Sequence, residues 1–164
     1  MNTRPLPDPS ALNGLSLALL SGQNTLTLAT ARGAVPWAAP VYYVNRSFDC
    51  CFFSNPDSRH IQEARDNRHV AGTVFAPTTT WQAIKGLQMS GEIQPLGPGL
   101  QAAQAIAAYL EKYPFTSEFF SPGQLIDLAA FQRRFNVRLY RFRPEKAYYL
   151  DNSIAFGFRA KLLF

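Results

Sequence analysis

Short runs that alternate apolar and polar residues with a period of two recur along most of this chain, each ended by turn residues. That period belongs to half-buried strands, whose successive side chains point to opposite faces. Thr25-Leu26-Thr27-Leu28-Ala29-Thr30 is the plainest run, and its β-branched threonines favour extended backbone. Arg32-Gly33 turns it into a second strand over 35–44, where Pro36 and Pro40 call for an edge, a bulge or a bend. Asn45-Arg46-Ser47 turns again into a third strand over 48–54, so two hairpins in succession make an antiparallel meander. A fourth strand is predicted over 69–75 and a long fifth over 82–95, in which Gly86 and Gly91 point to a bend or a close approach. In the sixth, Phe135, Val137 and Leu139 alternate with Asn136, Arg138 and Tyr140, and the alternation slips beyond Leu139 as it would at a bulge. Six short strands with a few helices are expected to close into a small antiparallel barrel, because closure hides the sheet edges.

Helical spacing appears in three places. Leu12, Leu15, Leu19 and Leu20 mark an N-terminal helix over about residues 10–21, with Ser10 as its cap and Gly22 at its end. Leu100, Ala103, Ala107 and Leu110 give a helix over 98–113 an apolar stripe. Ser121-Pro122 reads as a cap and first-turn proline opening a short helix to about Phe131. With 164 residues, 47% of them apolar, the chain fits one domain with a sizeable core, residues 1–164. No apolar run is long enough to span a bilayer, and no uninterrupted apolar segment precedes Asn13 as a signal peptide would need. Cys50 and Cys51 are neighbours on opposite faces of a strand, which reads as two reduced thiols in a cytoplasmic protein, with a vicinal redox pair as the alternative.

The stretch from Phe52 to His60 carries the chemistry. Phe52 and Phe53 end a strand, Asn55-Pro56-Asp57 is turn chemistry, and Asp57 or Ser58 caps a helix bearing Ile61, Ala64 and Arg65. A helix start offers free N–H groups and partial positive charge, and Arg59 adds a permanently charged fork beside it. These suit a phosphate; an ordinary capped helix with a solvated Arg has the same residues. Net charge is +5, and eight basic residues lie between Arg133 and Phe164 against Glu145 and Asp151. That basic C-terminal segment, 133–164, reads as an anionic-cofactor contact, a solvated strand face or a nucleic-acid contact, and the last is disfavoured because no helix-turn-helix, zinc-finger spacing or RNA-binding aromatic signature accompanies it. Asp, Glu, His and Cys do not gather at metal-ligand spacing, and no nucleophile or acid–base pair stands out.

The order of elements and several local motifs resemble the pyridoxamine 5′-phosphate oxidase-like, FMN-binding split-barrel family, from about Thr25 to Leu150. The resemblance rests on Phe52-Phe53-Ser54-Asn55 followed by Ser58-Arg59-His60 and, after a short helix, Asn67-Arg68-His69-Val70. It rests also on the strand Ile84-Lys85-Gly86-Leu87-Gln88-Met89-Ser90-Gly91-Glu92 and, more loosely, on Tyr109 and Tyr113-Pro114. The ending from Asp151 to Gly157 is similar to that of a subgroup of small bacterial members. The resemblance implies a mainly β fold with helices, a six-stranded antiparallel split β-barrel. It implies a cytoplasmic homodimer holding two FMN molecules near its interface, and oxidoreductase chemistry on a small-molecule substrate or electron donor. Ser54, Ser58 and Arg59 would meet the FMN phosphate, with Phe53 and His60 in the same block and Lys85 as a point charge. The backbone of Pro40, Val41 and Tyr42 would run along the flavin ring, and Gln88 would bond the ring or the ribityl chain.

The chain also departs from the family pattern. Ala38 and Tyr43 stand where the oxidase proper has basic residues on its second strand, Gly86 stands for a Gln, and His60 for a Lys. The oxidase's C-terminal Trp and Arg-Leu-His-Asp-Arg segment are absent. Most substrate-side groups of the oxidase are therefore missing. His60 would add charge only when protonated, which needs a raised pKa. The alternatives are a split barrel binding haem or a deazaflavin, and a cofactor-free binding or interaction module.

Overall fold

The structure is a computed structural model describing residues 6–119 and 128–164. In chain order it comprises helix α1 (Pro9–Gly22), strands β1 (Thr25–Arg32), β2 (Val35–Arg46) and β3 (Asp49–Ser54), helix α2 (Arg59–Asp66), and strands β4 (Val70–Phe75) and β5 (Lys85–Pro95). Helices α3 (Leu100–Lys112) and α4 (Leu128–Phe135) and strands β6 (Arg138–Asp151) and β7 (Arg159–Lys161) complete it. The expected cap at Ser121-Pro122 lies outside the described residues.

The strands run β3-β2-β1-β4-β5-β6-β7, every pairing antiparallel, and β3 also pairs with β6. That last pairing closes β1 to β6 into a ring, with β7 appended to β6. The ring is parted on one side. Val35–Tyr42 of β2 pairs with β1 alone, while β3 meets β2 only over Tyr43–Arg46 and then turns to β6. Pro36 and Pro40 sit on the free edge this leaves, where a missing N–H disrupts no second ladder.

Inward-facing residues of the alternating runs fill the ring, among them Leu26, Leu28, Val41, Tyr43, Phe52, Leu87, Phe142 and Tyr149. Helix α1 closes one end with Leu12, Leu19 and Leu20, and the Tyr43 hydroxyl donates to the Leu20 carbonyl at 2.7 Å. Its N-cap is Asp8, whose Oδ1 accepts from the Ala11 N–H, rather than Ser10, because Pro9 takes the first helical position. Helix α2 closes the other end with Ile61 and Ala64.

A second, smaller core joins Val44, Cys51 and Leu139 on the outside of the ring to Ala102, Ala105 and Tyr113. The buried face of α3 is therefore not the stripe expected from Leu100, Ala103, Ala107 and Leu110; Leu100 is 73% exposed. Small alanines let the helix approach the strands closely, and Tyr109 and Tyr113 supply the apolar area. Cys50 points into the main core and Cys51 into the second, both as free thiols. Burial pushes the Cys51 thiol up to about 11 and Cys50 further still, so neither is a ready thiolate.

Strand β6 runs unbroken through Pro144 because the ladder shifts register between Ser90 and Gly91. At Gly91 a Cβ would lie 2.0 Å from the Arg143 carbonyl oxygen, so glycine is required there. At Gly86 the space is ordinary, and no close approach explains it.

Candidate functional site

Helix α2 lies across the mouth of the ring, and its two flanks differ. Toward β1 and β2, buried Glu63 accepts from the Thr30 hydroxyl at 2.7 Å and from Arg59 Nε at 2.7 Å. These bonds, Thr30 first and Arg59 second, hold the Glu63 carboxyl below the usual carboxylate range. The Arg59 guanidinium lies over the Trp37 ring at 4.4 Å. Arg59 is thus pinned at Nε and along one face, while its two terminal nitrogens have no partner among the described residues.

Toward β3, the Ser54 hydroxyl lies 2.8 Å from His60 Nε2 and 3.2 Å from the Ser58 hydroxyl. Ser58 occupies the N-cap of α2 but makes no side-chain cap bond; its hydroxyl donates to the Asn55 carbonyl instead. The N–H groups of Arg59 and His60 consequently have no acceptor among the described residues. Burial lowers the His60 pKa and Glu63 only partly opposes this. The imidazole is therefore a neutral hydrogen-bonding group near pH 7, not the extra positive charge that would replace a Lys.

The remaining sequence-predicted residues fall elsewhere. Lys85 starts β5, ten residues from Pro95, whose partner Tyr140 lies two residues from Arg138, the partner of Ser54. That is roughly 30 Å of strand. Lys85 pairs with buried Asp151 at 3.3 Å. It cannot be a point charge on a phosphate held by Ser54, Ser58 and Arg59 of its own chain. Asp151 also accepts from Ser153 and from the Tyr149 hydroxyl. Burial would raise the Asp151 carboxyl, but these bonds and Lys85 together hold it low.

Pro40 and Gln88 belong to one cross-strand row, Pro40–Thr27–Thr73–Gln88–Tyr148, on the outer face of the sheet. The next row is Ala38–Ala29–Ala71–Ser90. The face is exposed and lined by small side chains, with Pro40 and Gln88 three strands, or roughly 14 Å, apart. Val41 points the other way, into the core, so only its backbone is available to a ligand. Tyr42 is exposed and packs edge-on against Tyr113 and Phe115. The Phe53 side chain is committed to Tyr109 and Phe131 on the far side of β3 from Ser54.

Sequence reasoning missed Trp37, Glu63 and Arg138. Glu63 had a signal, since it stands four residues after Arg59. Trp37 and Arg138 reach this end of the barrel only through strand pairing. The basic C-terminal segment forms no single face: Arg141 pairs with Asp49, Arg159 lies over Tyr148, and Arg138 turns to a cavity beside α2. Among the described residues no His, Cys, Asp and Glu group could hold a metal ion, and no helix is long and apolar enough to cross a membrane.

A ring of six antiparallel strands parted along one edge, with its mouth covered by a helix that has an uncapped start, defines a split β-barrel. A pyridoxamine 5′-phosphate oxidase family profile matches residues 16–151, and the chain belongs to that family. It is similar to a UPF0306 protein of Klebsiella pneumoniae, with 27% identity over 140 residues covering 84% of both chains. A UPF0306 protein of Pasteurella multocida is 33% identical over 93 residues, 56% of this chain and 62% of the relative. Among solved structures, a heme binding protein from Mycobacterium smegmatis superposes with a TM-score of 0.70 at 15% identity, over 96% of this chain and 59% of that one. A FAD-binding protein from Mesorhizobium loti gives a TM-score of 0.59 at 20% identity, over 90% and 96%. At these identities the likeness is one of fold.

Proposed function

We propose that this protein binds FMN and acts as a flavin-dependent oxidoreductase on a small molecule, as a cytoplasmic homodimer. The observation that carries the reading is the hydroxyl–imidazole cluster of Ser54, Ser58 and His60 at the uncapped start of α2, the same helical turn that carries Arg59 with its terminal nitrogens unpartnered among the described residues. The donors fit a phosphate monoester, with Arg59 as the full positive charge among them. Bound FMN would supply two-electron transfer, which the chain's own side chains do not offer. The protein would anchor the phosphate, and the exposed outer face of small residues around Pro40 and Gln88 would meet a ring system or a second subunit. Two reduced, buried thiols suit a reducing compartment. A heme binding protein and a FAD-binding protein share this fold, which supports a planar cofactor.

The test is titration of FMN and of riboflavin into the purified protein, with spectra before and after. FMN uptake with much weaker riboflavin uptake supports a phosphate-anchored flavin. Equal affinities, no uptake, or a haem spectrum in the protein as isolated would overturn it.

A further inference from the structure

On the flank of α2 away from Arg59, a cavity of about 680 Å³ opens between the second half of the helix and the adjoining ends of β5 and β6. Its walls carry three guanidinium groups, Arg65, Arg68 and Arg138, and no carboxylate. None of the three has a counter-ion among the described residues. The acids of α2 face the other way: Asp66 pairs with Arg32, and Glu63 is taken by Thr30 and Arg59. Gln94 is also engaged, accepting from Arg141 and donating to Glu92.

A second observation is independent of the charge. Tyr140 lines the same cavity, is 3% exposed, and its buried hydroxyl has no hydrogen-bond partner. Buried hydroxyls are almost always bonded, so an unbonded one in a residue that lines a cavity is free to serve an acceptor placed there. The Tyr140 ring is held by packing over Phe52, at 5.9 Å between centroids, so the hydroxyl is fixed in place. Ile61, Ala64 and Ile93 give the cavity an apolar floor.

The geometry points to a binding site for an organic oxyanion, with Arg65, Arg68, Arg138 and the Tyr140 hydroxyl holding a phosphate or carboxylate and the apolar floor receiving its body. Arginine forks match both headgroups, and a tyrosyl O–H donates to either. The site is distinct from the hydroxyl cluster at the start of α2 and does not require a flavin. It adjoins that cluster, since Arg138 lies directly across the β3–β6 ladder from Ser54. A substrate anchored here would reach toward whatever Ser54 and Ser58 hold.

Calorimetric titration with phenyl phosphate, benzoate and uncharged phenol, on protein with and without added FMN, tests the assignment. One or both anions should bind and phenol should not, with the preferred anion separating phosphate from carboxylate. In Arg65→Ser/Arg68→Ser the anion should bind at least about tenfold more weakly, and in the near-isosteric Tyr140→Phe several-fold more weakly. Arg159→Ser, at an arginine that lies over Tyr148 and outside the cavity, should leave anion affinity unchanged. The proposal is overturned if neither anion binds, if phenol binds as well, or if affinity follows Arg59 and Ser58 instead of Tyr140 and the cavity arginines. FMN uptake is a separate readout, so loss of flavin binding and loss of anion binding are distinguishable.

Discussion

Arg59 and His60 are adjacent in sequence, yet α2 gives them opposite electrostatic roles. Arg59 is paired with Glu63, while its terminal nitrogens remain to meet an anion. Replacing it in Arg59→Ala should weaken FMN by roughly 1.5–3 kcal/mol, about ten- to a hundred-fold, the worth of a charge-assisted contact. Calorimetry on the folded variant measures this; unchanged affinity would remove Arg59 from the phosphate site. His60 is held neutral by burial, its pKa lowered from 6.5. Between that depressed value and about 6.5 the unfolded chain binds more protons than the folded one, so stability falls as pH drops through this window. Thermal unfolding should show a midpoint that declines from about pH 6.5 toward pH 5, with a shallower decline in His60→Gln. Glu63 and Asp151, whose pKa values are depressed, act in the same direction at lower pH: their contribution is present above the ordinary carboxylate range and lost below it.

At the scale of elements, two positions show how strands and helices are locked together. Gly91 admits the Arg143 carbonyl where β5 and β6 change register. Gly91→Ala should destabilise the fold by about 3 kcal/mol, because backbone on both sides must move to admit one methyl. A urea midpoint unchanged from the parent protein would show that β6 relaxes freely there. Tyr113, just after α3, accepts from the Tyr43 N–H at 3.2 Å and donates to the Tyr43 carbonyl at 2.6 Å, with the Asn24 carbonyl also in reach at 2.9 Å. It ties the 3-10 turn Pro114–Phe119 and α3 to the strand beneath. Tyr113→Phe removes the donor to the Tyr43 carbonyl, while the Tyr43 N–H keeps the Asn24 carbonyl at 3.3 Å, and should cost about 1 kcal/mol, read from the same denaturation curves. Sequence periodicity places these helices but not their faces. In α3 the pattern of leucines suggests one stripe, while alanines one position away make the contact, since a poly-alanine surface has no moment to read.

At the scale of the molecule, the outer face of β2, β1, β4 and β5 is an exposed floor of small residues: Ala38, Ala29, Ala71 and Ser90 beside Pro40 and Gln88. Exposed Trp81, Phe75 and Phe156 stand at its margin. The homodimer we propose would bury this face against its partner. Ala71→Arg places a long charged side chain in its middle and should weaken self-association by at least about a hundredfold, since an uncompensated interfacial charge costs several kcal/mol. Sedimentation velocity checks this, and a variant that sediments as the parent does would place the subunit contact on another face.

The alternating runs alone determined most of the strands and the antiparallel hairpins between neighbours, because a period of two and turn chemistry are local properties of the chain. The β3-to-α2 passage was legible for the same reason: Asn55-Pro56-Asp57 and Ser58 are neighbours in sequence as in space. Tertiary structure alone decided which charges share a site. Lys85 is carried to the far end of the barrel and taken by Asp151, while Trp37, 22 positions earlier in the sequence than Arg59, comes to lie under it. Arg65, Arg68, Arg138 and Tyr140 meet around one cavity only because β3 pairs with β6 and α2 lies over the mouth that the pairing makes. Ring closure joins residues far apart along the chain, and no local pattern encodes which of them it will join.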